Sequence, residues 1–351
     1  MTAIPAANPG ETLSVLPMPG LEVDNLLSIL ALLGVLRSLE AENPAWHPRV
    51  SWSGPPWVAR LHLDARVTEE DVAKAAAKGI ERVAARFDVD GRKNVDFEPE
   101  QFREYAKRCR ADPVRAALAT ALTVEFPRKQ DGGLRAAPLV MMFGQGHQNF
   151  LERLVAIALG SAPRGLAKAK TEPDLRNPRY VAKALFQPWK RDDDCDGFRW
   201  DPEEDQRYAL RFGDPSRAGA ASTVHGANRL ATLGLLSFPS APSIREPNLP
   251  PATACRAPGS PTAARGSIRE PNLPPATASA NGIAFLFVWP VWTEPLSLHG
   301  IERFMCHPDV VTLEGWRKPS PLGIAEVYVA RRIANGKFMN VTRGVPRARR
   351  S

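Results

Sequence analysis

The sequence predicts an α+β fold, with helices packed on small antiparallel sheets, and three observations support this. Apolar residues recur at helical spacing in several segments of the first two thirds of the chain. Polarity alternates instead in Arg49–Trp52 and Trp57–Leu63, which flank a Gly-Pro-Pro turn and predict a hairpin. Asn335-Gly336, a dipeptide typical of tight hairpin turns, lies within the last alternating segment, Gly323–Val341.

Composition divides the chain into regions. These are a loose N-terminal arm (1–20), a main α+β domain (21–236), a proline-rich insertion (237–282), a β-rich part that packs on the main domain (283–346) and a basic tail (347–351). The insertion repeats a sequence of 12 residues, which occurs at Ser243–Ala254 and again at Ser267–Ala278. Proline at this density disfavours both helix and central strand, so we expect the insertion to be disordered.

Helical periodicity indicates where the helices begin and end. The predicted helices lie at Glu22–Glu42, from Thr68 onward, at Glu98–Arg110, at Asp112–Val124, from Phe150 onward, at Tyr180–Phe186 and at His225–Leu236. The first is apolar on most of its surface and is expected inside the domain. The last has one apolar side, and Asn228 and Arg229 lie away from its centre, where we expect them to be exposed.

Further strands are predicted from apolar runs and alternating polarity. They lie at Ala136–Phe143, at Phe198–Trp200 paired with Arg207–Phe212, and within the apolar run Ile283–Trp292, where we expect the strand to end at Pro290. A short element is expected within Leu296–Phe304.

One polar loop lies between a predicted strand and a predicted helix. After Phe143, two glycines alternate with polar residues up to Asn149. Amide, imidazole and backbone N–H groups therefore converge where the backbone can approach a ligand closely. The alternative is a turn whose glycines only let the chain bend, with Gln148 or Asn149 capping the helix.

Charge and cysteine usage exclude several classes of protein. The chain has 351 residues and a formal net charge of +8, which favours polyanionic partners. Its four cysteines are scattered without a CxxC or Cys/His cluster, so neither a zinc site nor a disulfide framework is indicated. No apolar run reaches membrane-spanning length and no signal peptide is recognisable, so a cytoplasmic location is expected.

Catalytic signatures are missing, so the sequence does not predict an enzyme or a cofactor. There is no Walker GK[ST] motif, no HExxH and no GxSxG, and the glycine loop lacks the third glycine of a dinucleotide fingerprint. An enzyme that binds a small molecule or a nucleotide phosphate in the Gly144–Asn149 loop is the alternative. It would use His147 as general base.

An acidic segment lies between Pro188 and Asp214. A hard cation could bind there, but no glutamate closes a 12-residue loop of EF-hand type. A solvated loop with internal salt bridges is therefore the favoured interpretation over a metal site.

Several motifs together point to one family. They are the early helix with Ala-Leu-Leu-Gly-Val-Leu (Leu26–Leu39), the Phe-Gly-Gln-Gly-His-Gln-Asn-Phe loop, the block from Trp200 to Ser216, Gly226-Ala-Asn-x-Leu-Ala, and the final hairpin. In these motifs the chain resembles the shorter large-subunit proteins of type I-U (I-G) CRISPR–Cas systems, which belong to the Cascade surveillance complex. The duplicated insertion lies outside the likeness.

The resemblance implies a non-enzymatic subunit in antiviral defence, with a CRISPR RNA and target double-stranded DNA as partners. It would contact the 5′ handle of the guide, recognise the protospacer-adjacent motif and start unwinding. Other expected partners are the backbone subunit, the RNA-processing subunit, a separate small subunit and a helicase-nuclease. The candidate nucleic-acid-binding residues are Gln145, His147, Gln148, Asn149, Arg153, Lys190, Arg191, Arg207, Arg211, Asn228, Arg229, Arg331, Arg332 and Lys337.

Overall fold

A computed structural model describes most of the chain. The described residues are 12–95, 97–125, 134–141, 149–161, 174–195, 197–203, 222–238, 254–256, 285–307, 310, 323–335 and 338–347. Within them, helices pack together with small antiparallel sheets, so the predicted α+β fold class is confirmed. None of the helices in these ranges is long and apolar enough to cross a membrane.

The helices and strands have the following bounds. The helices are α1 (Leu26–Glu42), α2 (Glu69–Ala84), α3 (Pro99–Cys109), α4 (Pro113–Leu122), α5 (Phe150–Ala158), α6 (Arg179–Phe186), α7 (His225–Gly234) and α8 (Leu298–Met305). The strands are β1 (Ser14–Met18), β2 (Arg49–Ser53), β3 (Val58–Leu63), β4 (Thr123–Glu125), β5 (Leu134–Ala136), β6 (Asp193–Asp194), β7 (Ser222–Thr223), β8 (Ala254–Arg256), β9 (Phe285–Trp292), β10 (Ile324–Asn335), β11 (Phe338–Val341) and β12 (Val345–Pro346).

Helix α1 is the centre of the fold, as its apolar surface predicts, and α7 packs along it. It begins four residues later than predicted because Asn25 caps it, the side chain accepting a hydrogen bond from the Leu27 N–H at 3.0 Å. Gly34 of α1 faces the Leu230 carbonyl, and Gly234 of α7 faces the Leu30 carbonyl, so that a Cβ at either glycine would overlap the opposing backbone. Glycine is thus what lets these helices approach so closely.

The predicted N-terminal hairpin is confirmed and gains a third strand. Strand β3 lies between β1 and β2 in the order β1-β3-β2. Strand β1 pairs antiparallel with β3, from Ser14 opposite Leu63 to Met18 opposite Ala59. The prediction of a loose N-terminal arm is therefore wrong for these five residues, because β1 completes the sheet and buries Met18.

The helices that follow agree closely with their predicted starts. Thr68 caps α2 through a capping box with Asp71, as its acidic first turn suggests. Helix α4 is shorter than predicted, because the β-branched Thr123 adopts extended geometry and begins β4. Strand β4 pairs with β5.

Two predicted strands are wrong where the structure describes them. After β5, residues Ala137–Met141 are buried in a turn in which the Val140 N–H bonds the Ala137 carbonyl at 2.9 Å. Phe198–Trp200 forms no sheet ladder either; the rings of Phe198 and Trp200 stack at 4.4 Å inside the core. The apolar run and the two aromatic residues are buried in these two places, but by turn and ring packing rather than in a sheet. The predicted partner Arg207–Phe212 lies outside the described residues.

The C-terminal sheet has the order β11-β10-β9-β8, with β12 also paired to β10. Strand β9 continues past Pro290 to Trp292, contrary to the prediction, because proline removes one donor while the neighbouring residues keep the ladder. The final hairpin is confirmed, but Asn335 pairs with Phe338, so the connection lies one residue later than predicted. Strand β8 corrects the expectation that the insertion contains no strand, since its three residues pair with β9; the rest of the insertion lies outside the described residues.

Two tryptophans attach this sheet to the rest of the fold. Trp289 donates from Nε1 to the Val23 carbonyl at 2.9 Å, and Trp292 donates to the Val50 carbonyl at 2.7 Å. Both indoles are buried. The C-terminal sheet is therefore held beside α1 and the N-terminal sheet.

Candidate nucleic-acid interface

The polar loop is described at both of its ends. Met141 precedes it and Asn149 is its last residue, while Gln145, His147 and Gln148 lie outside the described residues. The contacts at the two ends therefore decide which parts of the molecule lie beside the loop.

The entry to the loop is held by two distant segments. Trp200, fully buried, donates from Nε1 to the Leu139 carbonyl at 2.9 Å. Arg332 on β10 donates from Nη1 to the Pro138 carbonyl at 3.4 Å. The C-terminal strand that carries the predicted cations therefore reaches the segment that leads into the loop.

The exit from the loop is the start of α5, and its N–H groups are already bonded. The Phe150 N–H reaches the Asn94 side-chain oxygen at 3.3 Å, and the Leu151 N–H reaches the Lys93 carbonyl at 2.9 Å. The Glu152 N–H points to the same carbonyl at 3.5 Å. The donors that a phosphate would use at a helix N-terminus are thus occupied by the chain itself.

Asn149 stands at the capping position of α5 without capping it. Its φ is 47°, in the left-handed region that asparagine tolerates better than most residues, and its side chain makes no capping hydrogen bond. Asn94 takes that role from a loop far away in sequence. Asn149 therefore occupies the predicted N-cap position, but its side chain does not make the predicted capping hydrogen bond.

Arg331 and Arg332 lie on opposite faces of β10. The face with Tyr328 and Ala330 packs on the main core, and Arg332 continues it toward Pro138. Arg331 continues the other face, where Val329 belongs to a second, smaller core. Although Arg331 and Arg332 are adjacent in sequence, they therefore cannot form one patch on the same face of the sheet.

Arg332 is a half-buried cation. Burial lowers the pKa of its guanidinium to about 10, so the group is still charged at neutral pH. A partly desolvated charge interacts more strongly with a phosphate than an exposed one does.

The remaining candidate cations differ in their surroundings. Arg153 is half-buried in the first turn of α5, and its N–H bonds the Asn149 carbonyl at 2.8 Å. Lys190 is exposed after α6. Arg207, Arg211 and Lys337 lie outside the described residues.

Arg191 belongs to an internal ion network, which corrects its predicted place on a nucleic-acid-binding surface. It donates from Nε to Asp201, which is fully buried, at 2.8 Å and contacts Glu203 at 3.0 Å and Glu22 at 3.5 Å. Burial opposes its charge, but the hydrogen bond to Asp201 and the nearby carboxylates raise its pKa overall. Its charge is therefore used to join the segment around residue 201 to the start of α1.

Arg343 completes the same network from the other end of the chain. It pairs with Asp24 at 2.8 Å, with Glu22 at 3.1 Å and also with Glu203. The sequence places Arg343 among the cations of a basic C-terminal segment. Instead, its contacts hold the C-terminal sheet against the start of α1.

Asn228 and Arg229 are both fully buried, which corrects the expectation that they are exposed. Asn228 donates to the Thr223 hydroxyl at 2.8 Å. Arg229 donates to the carbonyls of Ala158 at 3.2 Å and Arg176 at 3.0 Å. Neither side chain is placed to reach a phosphate, because α7 is enclosed on all sides.

The acidic segment is neutralised by internal cations where it is described. Asp193 pairs with Lys183 at 3.0 Å, and Asp192 pairs with the same ammonium. Across the described ranges no group of three His, Cys, Asp or Glu side chains is arranged to hold a metal ion. The salt-bridged loop is therefore the arrangement seen in this part of the segment.

Sequence reasoning missed Lys93 and Asn94, which lie at the exit of the loop. Neither lies in a motif, and only their contact with the start of α5 marks them. An asparagine in a polar loop is a common helix cap, but nothing in the sequence indicates which helix it caps.

Comparison with known proteins leaves the family of the chain open. No protein-family model matches the sequence, and no curated protein matches it significantly.

Proposed function

We propose that the chain is a non-catalytic, nucleic-acid-binding subunit of a cytoplasmic, CRISPR-RNA-guided surveillance complex. In this role it contacts the 5′ handle of the guide and recognises a short motif on duplex DNA beside the target. Base pairing with the guide then reads the sequence, so the protein needs only to read a few base edges and the backbone. The motifs that resemble the type I-U large subunits support this proposal.

One observation carries the proposal furthest: Arg332 contacts Pro138, in the segment that leads into the polar loop. The loop brings amide and imidazole groups, which suit hydrogen bonds to base edges. Arg332 brings a positive charge, which suits the phosphates next to those bases. A protein that recognises a short DNA motif needs both kinds of group in one place.

The occupied N-terminus of α5 supports nucleic acid over a small phosphorylated ligand. A phosphate cradle would require free N–H groups after the glycines, but Lys93 and Asn94 already accept them. The backbone N–H groups of Phe150 and Leu151 are therefore not available to a phosphate.

The proposal is tested by replacing the loop amides in the assembled complex. Alanine at Gln145, Gln148 and Asn149 together is expected to weaken binding to target duplex DNA while the complex still assembles around its guide. The control is Lys78→Ala, which removes an exposed charge on α2. DNA affinity equal to that of the unmodified complex would refute the assignment of the loop.

A further inference from the structure

A polar pocket lies between α6 and the segment that forms β6, away from the contacts of the loop. It has a volume of about 360 Å³ and is lined by Arg179, Tyr180, Lys183, Gln187, Asp192 and Asp193. The volume falls within the range of about 300 to 1,000 Å³ typical of small-ligand sites and is large enough for a nucleobase.

Two cations and two carboxylates line the pocket, so its charges balance. A bare phosphate would meet both carboxylates and is disfavoured there. A ligand that presents hydrogen-bond donors beside acceptors fits this lining better, because both signs of charge are then matched.

The two carboxylates have different tasks. Asp193 is buried, accepts the His225 N–H at 2.8 Å and pairs with Lys183 at 3.0 Å. Its contacts hold β6 in place beside α7. Asp192 pairs with the same Lys183, but its side chain is 54% exposed, so part of the carboxylate is open to a ligand.

Asp192 acts only as a hydrogen-bond acceptor at neutral pH. The hydrogen bond from Lys183 lowers the pKa of its carboxyl group, so the group is ionised and carries no proton to donate. A ligand that meets Asp192 must therefore bring donors, and two adjacent donors would use both carboxylate oxygens.

The opposite wall of the pocket supplies donors. Arg179 donates from Nη2 to the Tyr180 hydroxyl oxygen at 3.1 Å, which leaves the phenol hydrogen available to an acceptor. The guanidinium itself lies on the surface at the edge of the pocket, where it can also meet a phosphate.

We propose that this pocket takes a single unstacked guanine from a single strand of nucleic acid. Guanine carries two neighbouring donors, N1–H and N2–H, which match the carboxylate of Asp192. Its O6 and N7 acceptors match the Tyr180 hydroxyl and the Lys183 ammonium, and the adjoining phosphate meets Arg179. Bases of single strands are commonly read in this way on their Watson–Crick edges. The proposal rests on the proposed function only in taking nucleic acid as the source of the base.

The test compares short uridine RNA strands that carry guanine, inosine, adenine or cytosine at one central position. Binding of each strand to the full-length chain is measured by fluorescence anisotropy. The strand with guanine is expected to bind about tenfold tighter than the strand with inosine, which lacks only the 2-amino donor. Free guanosine monophosphate is measured in parallel and is expected to bind more weakly than the strand.

Two variants and a matched control locate the effect. Asp192→Asn should abolish the preference for guanine. Arg179→Gln should instead weaken the binding of all four strands by similar factors. Glu104→Gln is the control, because Glu104 is also 54% exposed and pairs with one lysine, Lys107, at 2.6 Å. Glu104→Gln should change neither the preference for guanine nor the overall affinity. The melting temperature of each variant shows whether the variant is folded.

The outcomes separate this proposal from the function proposed above. Equal affinity for all four strands, or a preference for guanine that survives Asp192→Asn, would overturn the assignment of the pocket. Free guanosine monophosphate that binds as tightly as the strand would also overturn it, since the ligand would then be a free nucleotide. DNA binding by the assembled complex is measured separately, so it can persist when the pocket assignment fails.

Discussion

Arg332 donates from Nη1 to the carbonyl oxygen of Pro138 across 3.4 Å, although 194 residues separate them in sequence. This hydrogen bond places the last long strand of the protein beside the segment that enters the polar loop. A cation from the C-terminal sheet therefore lies beside the described residues that lead into the loop.

The first prediction concerns the charge of Arg332. Arg332→Gln should weaken binding of the assembled complex to duplex DNA. It should also reduce the slope of log affinity against log salt by about 0.9, the value for one phosphate that the protein no longer neutralises. Binding is measured over a range of salt concentrations. Arg331→Gln provides the comparison, since Arg331 lies on the other face of β10. An equal reduction of slope in both variants would contradict the assignment to the Pro138 face.

A second prediction concerns the start of α5. Asn94→Ala removes the acceptor of the Phe150 N–H and should lower the free energy of unfolding by about 1 kcal/mol. Asn149→Gly should change it by only a few tenths, roughly, because glycine adopts the φ of 47° easily and no capping hydrogen bond is removed. Urea denaturation measures both. A larger decrease in Asn149→Gly than in Asn94→Ala would show that Asn149 is the cap after all.

A third prediction concerns the packing of α1 against α7. Gly34→Ala should lower the free energy of unfolding by about 1 to 3 kcal/mol, because its Cβ would overlap the Leu230 carbonyl. Gly300→Ala is the matched control: it is also in a helix, and its Cβ would lie 3.6 Å from the nearest atoms of Leu296. That substitution should be neutral or stabilise by up to about 1 kcal/mol. Thermal unfolding of the two variants distinguishes these outcomes.

A fourth prediction concerns acid stability. Burial, and then the nearby charge of Arg229, lower the pKa of His225 from 6.5 to about 4. The unfolded chain therefore binds this proton at higher pH than the folded chain does. The stabilisation is complete above about pH 6.5 and is lost as the pH falls toward 4. At about 1.4 kcal/mol for each pKa unit, the loss amounts to about 3 kcal/mol.

The acid stability is checked by urea denaturation between pH 7 and pH 4. His225→Gln should flatten the decline relative to the unmodified chain, since glutamine does not titrate. Parallel curves for the unmodified chain and His225→Gln would show that His225 does not contribute.

Local patterns predicted much of the fold. The apolar surface of α1, the acidic first turn of α2 and the alternation around the first hairpin all reflect residues close together in the chain. The strand predicted at Ala136–Phe143 is wrong over Ala137–Met141, because an apolar run indicates burial without determining the backbone geometry.

The surroundings of charged residues were the hardest to predict. Arg191 and Arg229 look like surface cations in sequence, but their partners come from remote segments, such as Asp201 and the Ala158 carbonyl. A buried arginine is compatible with the core only when such partners are assembled, and single-sequence patterns do not reveal them. The approach of Arg332 to Pro138 is a long-range contact of the same kind.

The most direct measurement of the proposed function is the sequence of any RNA that co-purifies with the chain. The tagged chain is isolated from cells that express it together with its neighbouring genes, and the bound RNA is sequenced. We expect RNAs of uniform length that share a repeat-derived 5′ end, together with a repeated backbone subunit. A chain that purifies without RNA, or with fragments of random sequence and length, would contradict the proposal.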